Sequence, residues 1–257
     1  MITKGRILLV VALVYAMSLH AQLVQCPSDA MLIKLLSFGD LYLGEIHGTA
    51  ETPQLVQCLV EKALATSKER IIVSLELESG ARDPGSYPWQ ETSPHDGRTS
   101  KAMFNLLAYL KDKESQGLLN LDFQHKIIFD RPDGKSRAEI IGLDLKALSE
   151  RGLLIALSGN AHSMKTMPPG MPLNGLQEGR YVGPNMTHIW VQAVDGGTTW
   201  NCSPDCGVHE MKKLSRIDGN PDTLVDGSTV GHDYIYFIPQ RTFTASPPQK
   251  VITDTQH

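Results

Sequence analysis

Short apolar runs and helical repeats alternate along the first two thirds of the chain. Residues 41–43, 70–77, 126–129 and 153–157 form apolar runs with the length of buried strands. Between these runs, apolar residues recur three or four positions apart, which predicts amphipathic helices. Strands that alternate with helices favour an α/β fold, an open, mainly parallel sheet with helices on both faces.

Helix starts are marked by residues with known capping preferences. Thr52 is expected to cap a helix that has Pro53 at its first position. Thr99 or Ser100 is expected to cap the next helix, and residues 136–139 (SRAE) match a capping box. A further short helix is predicted for residues 31–38.

The last third of the sequence is less regular. Residues 187–194 and 234–238 are predicted to be added strands, separated by connections rich in Gly, Pro and Asp. Residues 78–100 form a loop long enough to indicate a binding or covering role. The polar segment 242–257 is expected to be a disordered tail.

Composition limits the classes of function. The 257 residues carry a formal net charge of −4, with 41% hydrophobic residues, which is typical of a globular protein. A mildly acidic chain without a basic cluster gives no indication of a nucleic-acid partner. We expect a single α/β domain over residues 22–241.

The N-terminus has the pattern of an export signal. Lys4 and Arg6 precede an apolar run over residues 7–17, and Ala21 follows it at an expected cleavage point. The run is shorter than the ~20 residues of a membrane span, so no stable span is expected after cleavage of residues 1–21. The sequence therefore predicts a periplasmic or secreted protein.

All four cysteines lie beyond this signal. In an exported chain an even number of cysteines indicates disulfides, and the favoured pairs are Cys26 with Cys58 and Cys202 with Cys206. The alternative is a metal site that combines Cys202, Cys206 and His209.

Polar side chains follow two of the predicted strands. Glu45 and His47 come after the first strand, while Asn160 and His162 come after the strand at residues 153–157. Each histidine stands three positions after a glycine, which can let the backbone approach a ligand closely. Because ligands of such sheets bind at the carboxyl ends of the strands, these side chains are candidates for a common site.

Acidic residues near the end of another strand strengthen this interpretation. Glu76 and Glu78 are two positions apart and are expected to face the same side of the sheet, opposite to Leu75 and Leu77. A buried carboxylate requires a charged, hydrogen-bonded or metal partner. The structural alternative is a buried ion pair with Arg82 or Arg98.

Two mechanisms are compatible with these residue types. Carboxylates and imidazoles can together bind Zn, Mn or Co, and the metal would lower the pKa of a bound water. Without a metal, a histidine oriented by a glutamate can act as a general base towards water. Both mechanisms lead to hydrolysis.

The segments GEIHGTAE and LSGNAH, in this order and with a glutamate between them, resemble the superfamily of Tiki proteases, erythromycin esterases and ChaN-like haem-uptake proteins. The similarity covers residues 41–163. The resemblance implies a parallel α/β sheet whose active site contains Glu45, His47, Glu76 and His162. It also implies that Arg98, in the motif DGRTS, orients an anionic group of the substrate, with Asn160 as a further substrate contact.

The members of this superfamily differ in chemistry. Tiki-like members hydrolyse peptides with a divalent metal, for which the same Glu45, His47, Glu76 and His162 would be the ligands. Erythromycin esterase-like members use His and Glu without a metal. ChaN-like members bind haem, for which Tyr42, Tyr87, Trp89 and residues 164–171 could line an apolar slot. The expected function is therefore hydrolysis of an amide or ester bond of a small-molecule or peptide substrate, with haem binding and uptake as the alternative.

The remaining histidines are expected to have structural roles, apart from His95. His125 is expected at the opposite end of a strand from the site, and His95 lies in the long loop, from which it could reach the site. His188, His209 and His232 are expected at the surface or in capping positions.

Overall fold

The computed structural model describes residues 25–82, 96–125, 134–168, 170, 175–214 and 217–248. Its centre is a seven-stranded sheet with the strand order β3-β2-β4-β1-β5-β9-β8, in which β8 alone runs antiparallel to its neighbour. The strands of this sheet are β1 (Leu41–Glu45), β2 (Ile71–Glu78), β3 (Leu119–His125), β4 (Leu153–Gly159), β5 (Thr187–Gln192), β8 (Thr223–Asp226) and β9 (Tyr234–Phe237). The predicted mainly parallel α/β sheet is confirmed.

Helices cover both faces of this sheet. They are α1 (Asp29–Leu36), α2 (Glu51–Thr66), α3 (Lys101–Ser115), α4 (Arg137–Ser149) and α5 (Asn160–Ser163), with short 3₁₀ turns at Ser79–Arg82 and Ser228–Val230. Alternate strand residues face opposite sides, as the two-residue period of a strand requires. Leu41, Leu43 and Leu75 pack in the core formed with α1, α2 and α3, whereas Tyr42 and Ile72 pack against α4.

Two of the three predicted helix caps are confirmed. Ser100 accepts a hydrogen bond from the backbone of Met103, and Ser136 accepts one from the backbone of Glu139. The predicted cap at Thr52 is wrong, because α2 begins at Glu51 and its N-cap residue is Ala50. Thr52 is buried inside the first turn.

The third strand begins earlier than the sequence pattern predicted. The apolar run at residues 126–129 lies outside the described residues, and β3 occupies Leu119–His125. Its apolar residues Leu119, Leu121 and Phe123 alternate with Asn120 and Asp122, which is the pattern of a strand covered by apolar groups on one face. This shift places the end of β3, and not its beginning, at His125.

Three parts of the C-terminal region were not predicted, namely strand β8, a hairpin and the segment at residues 243–248. A separate antiparallel hairpin consists of β6 (Gly197–Cys202) and β7 (Cys206–Met211). Residues 243–248, which we call the C-terminal strap, form isolated β-bridges to Thr49, Ser100 and Gly197. The prediction of a disordered tail is therefore wrong for these residues, because the backbone of the strap is hydrogen-bonded and Phe243 is buried.

The cysteines form the two expected disulfides, Cys26–Cys58 and Cys202–Cys206. The first joins the described N-terminus to α2, and the second closes the β6–β7 hairpin. The alternative metal site is wrong, since both of its thiols are bridged and His209 instead contacts the carbonyl of Asp205. Within the described ranges, no helix combines the length and the apolar character that crossing a membrane requires. The predicted export signal, residues 1–21, lies outside these ranges.

Candidate active site

The carboxyl ends of four neighbouring strands form the candidate site. Glu45 ends β1, Glu76 lies near the end of β2, His125 ends β3, and His162 follows β4 in the short helix α5. These four strands are adjacent in the order β3-β2-β4-β1. The sheet therefore brings the predicted residues Glu45, His47, Glu76 and His162 together, at the edge where ligands of such sheets bind.

Two glycines allow this close approach. A Cβ atom on Gly159 would lie 2.9 Å from His47 Nε2 and 3.5 Å from Glu76 Oε2. A Cβ atom on Gly44 would overlap with the hydroxyl of Ser163 in α5. The G-x-x-H spacing therefore has a physical basis, because any side chain at either glycine would displace the site.

Glu76 is the centre of the cluster. Its Oε1 atom lies 3.0 Å from Arg98 Nη1 and 3.5 Å from the Nε2 atoms of His125 and His162. Its Oε2 atom accepts a hydrogen bond from the backbone of Gly159 at 2.6 Å and lies 3.5 Å from His47 Nε2. Burial disfavours a charge on this carboxylate, but the neighbouring histidines and Arg98 outweigh that effect and hold the pKa of Glu76 well below its usual value. Glu78 is exposed, since the pairing of β2 with β3 shifts register between Leu75 and Glu78.

His47 is held between two carboxylates. Its Nδ1 atom lies 2.8 Å from Glu45 Oε1, and its side chain is only 13% exposed. Burial acts to lower the pKa of His47, but the hydrogen bonds and charges of Glu45 and Glu76 outweigh it and raise the pKa to about 10. At neutral pH the ring is therefore an imidazolium cation, and its Nε2–H points towards Glu76.

Arg98 is paired within the protein. Its guanidinium group donates to both carboxylate oxygens of Asp96, at distances between 2.6 and 3.1 Å. Burial acts to raise the pKa of Asp96, but the hydrogen bond from Arg98 and the charge of His47 outweigh it, so the pKa is lowered. The buried ion pair between Arg98 and Glu76, which was the structural alternative, is therefore present as part of the cluster. Arg82 instead pairs with Glu114.

His125 belongs to the site, and its predicted position at the opposite end of a strand is wrong. Arg98 Nη1 lies 3.3 Å from His125 Nδ1, and because a guanidinium group can only donate, Nδ1 accepts. In this tautomer the proton is on Nε2, which faces Glu76 Oε1. The period-two alternation of residues 119–123 was the sequence signal that could have placed it.

His162 has its own carboxylate, Glu178, which the sequence analysis missed. Its Nδ1 atom lies 2.9 Å from the carbonyl of Leu176 and 3.3 Å from Glu178 Oε1. Burial acts to lower the pKa of His162, but Glu178 and Glu76 outweigh it, so the pKa is raised. Glu178 lies in an irregular segment after α5, where neither periodicity nor a motif marks it.

Other predicted residues lie beside the site or away from it. Asn160 begins α5, and its carbonyl accepts from Ser163. His188 and His232 are buried and not at the surface as expected, and burial lowers the pKa of each to about 4. Tyr42 is fully buried and hydrogen-bonded, and therefore does not line an open slot. His95, Tyr87 and Trp89 lie outside the described residues.

The donor set does not fit a divalent metal. The predicted carboxylate ligands are already engaged within the protein, Glu45 by His47 Nδ1 and Glu76 by Arg98 and the Gly159 backbone. A guanidinium cation 3.0 Å from the central carboxylate opposes the binding of a second cation there. Among the residues that the structure describes, no group of three or more His, Cys, Asp or Glu side chains is arranged to hold a metal.

The raised pKa of His47 predicts a pH dependence of stability. The ring is protonated in the folded protein up to about pH 10, whereas the unfolded chain loses this proton near pH 6.5. Its stabilising contribution is therefore complete below pH 6.5 and is lost as the pH rises towards 10, by up to about 1.4 kcal/mol per pH unit. Urea unfolding of the wild type and of His47→Asn between pH 6 and pH 10 measures this. The difference in unfolding free energy should shrink with pH, and a constant difference would contradict the assignment.

Comparison with known proteins supports the fold. A crystal structure of a Bacillus cereus protein covers 85% of this chain and 93% of its own, at a TM-score of 0.54 and 10% identity. The two proteins share a fold. A mutant of the erythromycin esterase EreC in its open conformation covers 86% of this chain and 95% of its own, at a TM-score of 0.49 and 10% identity. Neither a protein-family profile nor a curated protein matches the chain. The Bacillus cereus structure supports the predicted α/β fold.

Proposed function

We propose that this protein hydrolyses an ester or amide bond of a small-molecule or peptide substrate, without a bound metal. One observation carries the proposal. The two oxygens of the Glu76 carboxylate lie 3.5 Å from the Nε2 atoms of two different imidazoles, His47 on one side and His162 on the other. Hydrolysis needs both a proton acceptor for water and a proton donor for the leaving group, and this arrangement supplies two candidates next to each other.

The environments of the two histidines favour different roles. His47 carries a pKa of about 10 and is a cation at neutral pH, so it is the proton donor. His162 keeps a proton on Nδ1, which donates to the carbonyl of Leu176, and its neutral form therefore has a free electron pair on Nε2. His162 is accordingly the base.

His162 and His47 together account for the protons that move in the reaction. As the water oxygen bonds to the substrate carbonyl carbon, one water proton passes to His162 Nε2. As the bond from that carbon to the leaving oxygen or nitrogen breaks, the proton of His47 Nε2 passes to the leaving atom. His162 then holds the extra proton and His47 lacks one. Glu76, which lies between both Nε2 atoms, is placed to return the proton from His162 to His47.

Arg98 is assigned to the support of Glu76 in this proposal. The sequence indicated a contact of Arg98 with an anionic substrate group, but its guanidinium group is engaged by Asp96 and Glu76. Its side chain is only 10% exposed. Arg98 therefore keeps Glu76 ionised and in position, and the substrate contact is left to other groups.

Export of the protein is part of the proposal. Disulfides form and persist in oxidising compartments, and the two disulfides therefore support the periplasmic or secreted location predicted from the N-terminus.

Hydrolysis assays test the proposal with p-nitrophenyl esters and aminoacyl p-nitroanilides as probes. His47→Asn keeps a hydrogen-bonding side chain but removes the cation, and we expect the rate to fall by about 10²–10⁴-fold. His209→Asn, in the β6–β7 hairpin, is the matched control and should hydrolyse the probes at the wild-type rate.

Two results would count against this metal-free mechanism. Wild-type rates in His47→Asn would remove His47 from the chemistry. Loss of activity with a chelator, followed by recovery with Mn or Zn, would replace the metal-free reaction with a metal-dependent one.

A further inference from the structure

A row of buried polar side chains runs from the site into the interior, on the face of the sheet that α4 covers. Tyr42 donates to Glu178 Oε2 at 2.6 Å, and its oxygen lies 2.9 Å from Ser158 Oγ. Ser158 in turn donates to Gln124 Oε1 at 2.6 Å. The amide of Gln124 donates to the carbonyls of Ser74 and Leu157 in the neighbouring strands.

The hydrogen bond from Tyr42 fixes Glu178 although the residue lies in an irregular segment. Tyr42 and Ser158 have no measurable exposure, and Glu178 is 1% exposed. Burial and the charge of Glu178 raise the pKa of the Tyr42 hydroxyl well above its usual value, so Tyr42 keeps its proton. Strand β1 thus holds the carboxylate at one oxygen, and the other oxygen is directed towards His162 Nδ1 at 3.3 Å.

Burying these polar groups costs free energy, which indicates that the arrangement does more than fill the core. A carboxylate buried away from water requires partners of its own. Apolar residues at Tyr42 and Glu178 would fill the same space without that requirement. The only charged or imidazole group that the structure places against Glu178 in the described residues is His162.

We propose that Glu178 is a positioning residue, held by Tyr42, that together with the carbonyl of Leu176 keeps the His162 ring in the tautomer and orientation in which Nε2 accepts the proton of water. This inference rests on the proposed function. The same division of roles between a carboxylate and the two nitrogens of one imidazole operates in Ser-His-Asp triads. Here the carboxylate comes from a segment after α5, and its support comes from a tyrosine of β1.

Several charged groups face His162 and bear on its titration. Glu178 lies on the Nδ1 side, and Glu76 lies on the Nε2 side. Arg98 and His125 share the same Glu76 oxygen and reduce its influence on His162. Both carboxylates favour the protonated ring, so loss of either should allow His162 to lose its proton at lower pH.

The test combines Glu178→Gln and Tyr42→Phe with the matched control Tyr236→Phe. Tyr236 is also buried and donates to a carboxylate, Asp222, but it lies in β9 away from the site. We expect kcat/KM to fall about 100-fold in Glu178→Gln and about tenfold in Tyr42→Phe, the latter corresponding to one lost hydrogen bond. Tyr236→Phe should keep the wild-type rate and pH profile.

A pH profile separates positioning from a general effect on folding. The acidic limb of kcat/KM reports His162, and in Glu178→Gln it should move to lower pH while the alkaline limb set by His47 stays near pH 10. A uniform loss of rate at every pH, with both limbs unmoved, would overturn the positioning role. Tyr42→Phe keeps the buried ring and provides the same test if Glu178→Gln does not fold.

NMR of ¹⁵N-labelled histidine supplies a readout that does not need activity. In the wild type, neutral His162 should carry its proton on Nδ1, and in Glu178→Gln the ring should titrate at lower pH, with Nδ1–H still donating to the carbonyl of Leu176. An unchanged His162 titration would overturn the inference. A shifted titration in a protein that hydrolyses no probe would keep the Glu178 assignment and reject the proposed hydrolysis, so the two failures are distinguishable.

Discussion

Replacing Glu76 with glutamine is expected to abolish hydrolysis and to lower the free energy of unfolding by about 3–5 kcal/mol. The side chain is buried, and its charge is shared by Arg98 and the histidines of the site. Glutamine keeps the size of the group and one acceptor oxygen for the Gly159 backbone, but it leaves the buried cations without their common counter-charge. The pKa of His47 should fall, because Glu76 is one of the groups that raise it.

Glu78→Gln is the matched control for this variant. Glu78 lies two positions further along β2 but is exposed, and surface substitutions of this kind usually change stability by less than about 0.5 kcal/mol. Urea unfolding and the ester assay should therefore distinguish the two variants clearly. A Glu76→Gln protein as stable and as active as Glu78→Gln would show that the buried charges do not depend on this carboxylate.

Removal of residues 243–257 is expected to destabilise the protein by more than about 3 kcal/mol and to remove activity, because it deletes the C-terminal strap. Loss of a buried phenylalanine side chain such as Phe243 costs about 3–5 kcal/mol by itself. The strap also accepts a hydrogen bond from Ala50 and donates one to Gly48, in the loop that carries His47.

The strap also supports the segment that carries Asp96 and Arg98. Pro247 accepts a hydrogen bond from the backbone of Lys101, and Pro248 forms a bridge with Ser100, directly after the segment that carries Asp96 and Arg98. Without the strap, the His47 loop and the Arg98 segment lose a common support.

A chain that ends at Pro248 is the control for this truncation. It retains the strap and should unfold at the same urea concentration as the full chain, with the same rate of hydrolysis. Equal stability of the two truncated chains would mean that the strap packs on the surface without supporting the fold.

The strand ends that carry the site could be predicted from sequence. Apolar runs mark β1, β2 and β4, and the polar residues Glu45, Glu76 and Asn160 follow or end them. Since parallel strands present their carboxyl ends at one edge, the meeting of His47 with His162 followed from the fold class. The disulfide pairs could also be favoured, because the alternatives were few.

Residues outside this pattern could not be placed in the same way. His125 was assigned to the wrong end of a strand, since the apolar run 126–129 was a stronger signal than the alternating residues before it. Glu178 has no periodic neighbours, and its role depends on Tyr42, which is 136 positions away in the sequence. The strap is polar in sequence, and its order comes from backbone hydrogen bonds that any composition can form.

The sequence by itself determined the alternation of strands and helices in the first two thirds of the chain, the apolar character of β1, β2 and β4, and the carboxylates and imidazoles near the ends of these three strands. These properties are local, because they depend on periodicity and on short-range capping preferences. Only the tertiary structure decided which groups share a proton or a charge. The strand order β2-β4-β1 brought Glu76 within 3.5 Å of both His47 and His162, and such distances, with burial, set the pKa of each group. Electrostatic energy depends on such distances and on exclusion of water, which no sequence pattern specifies.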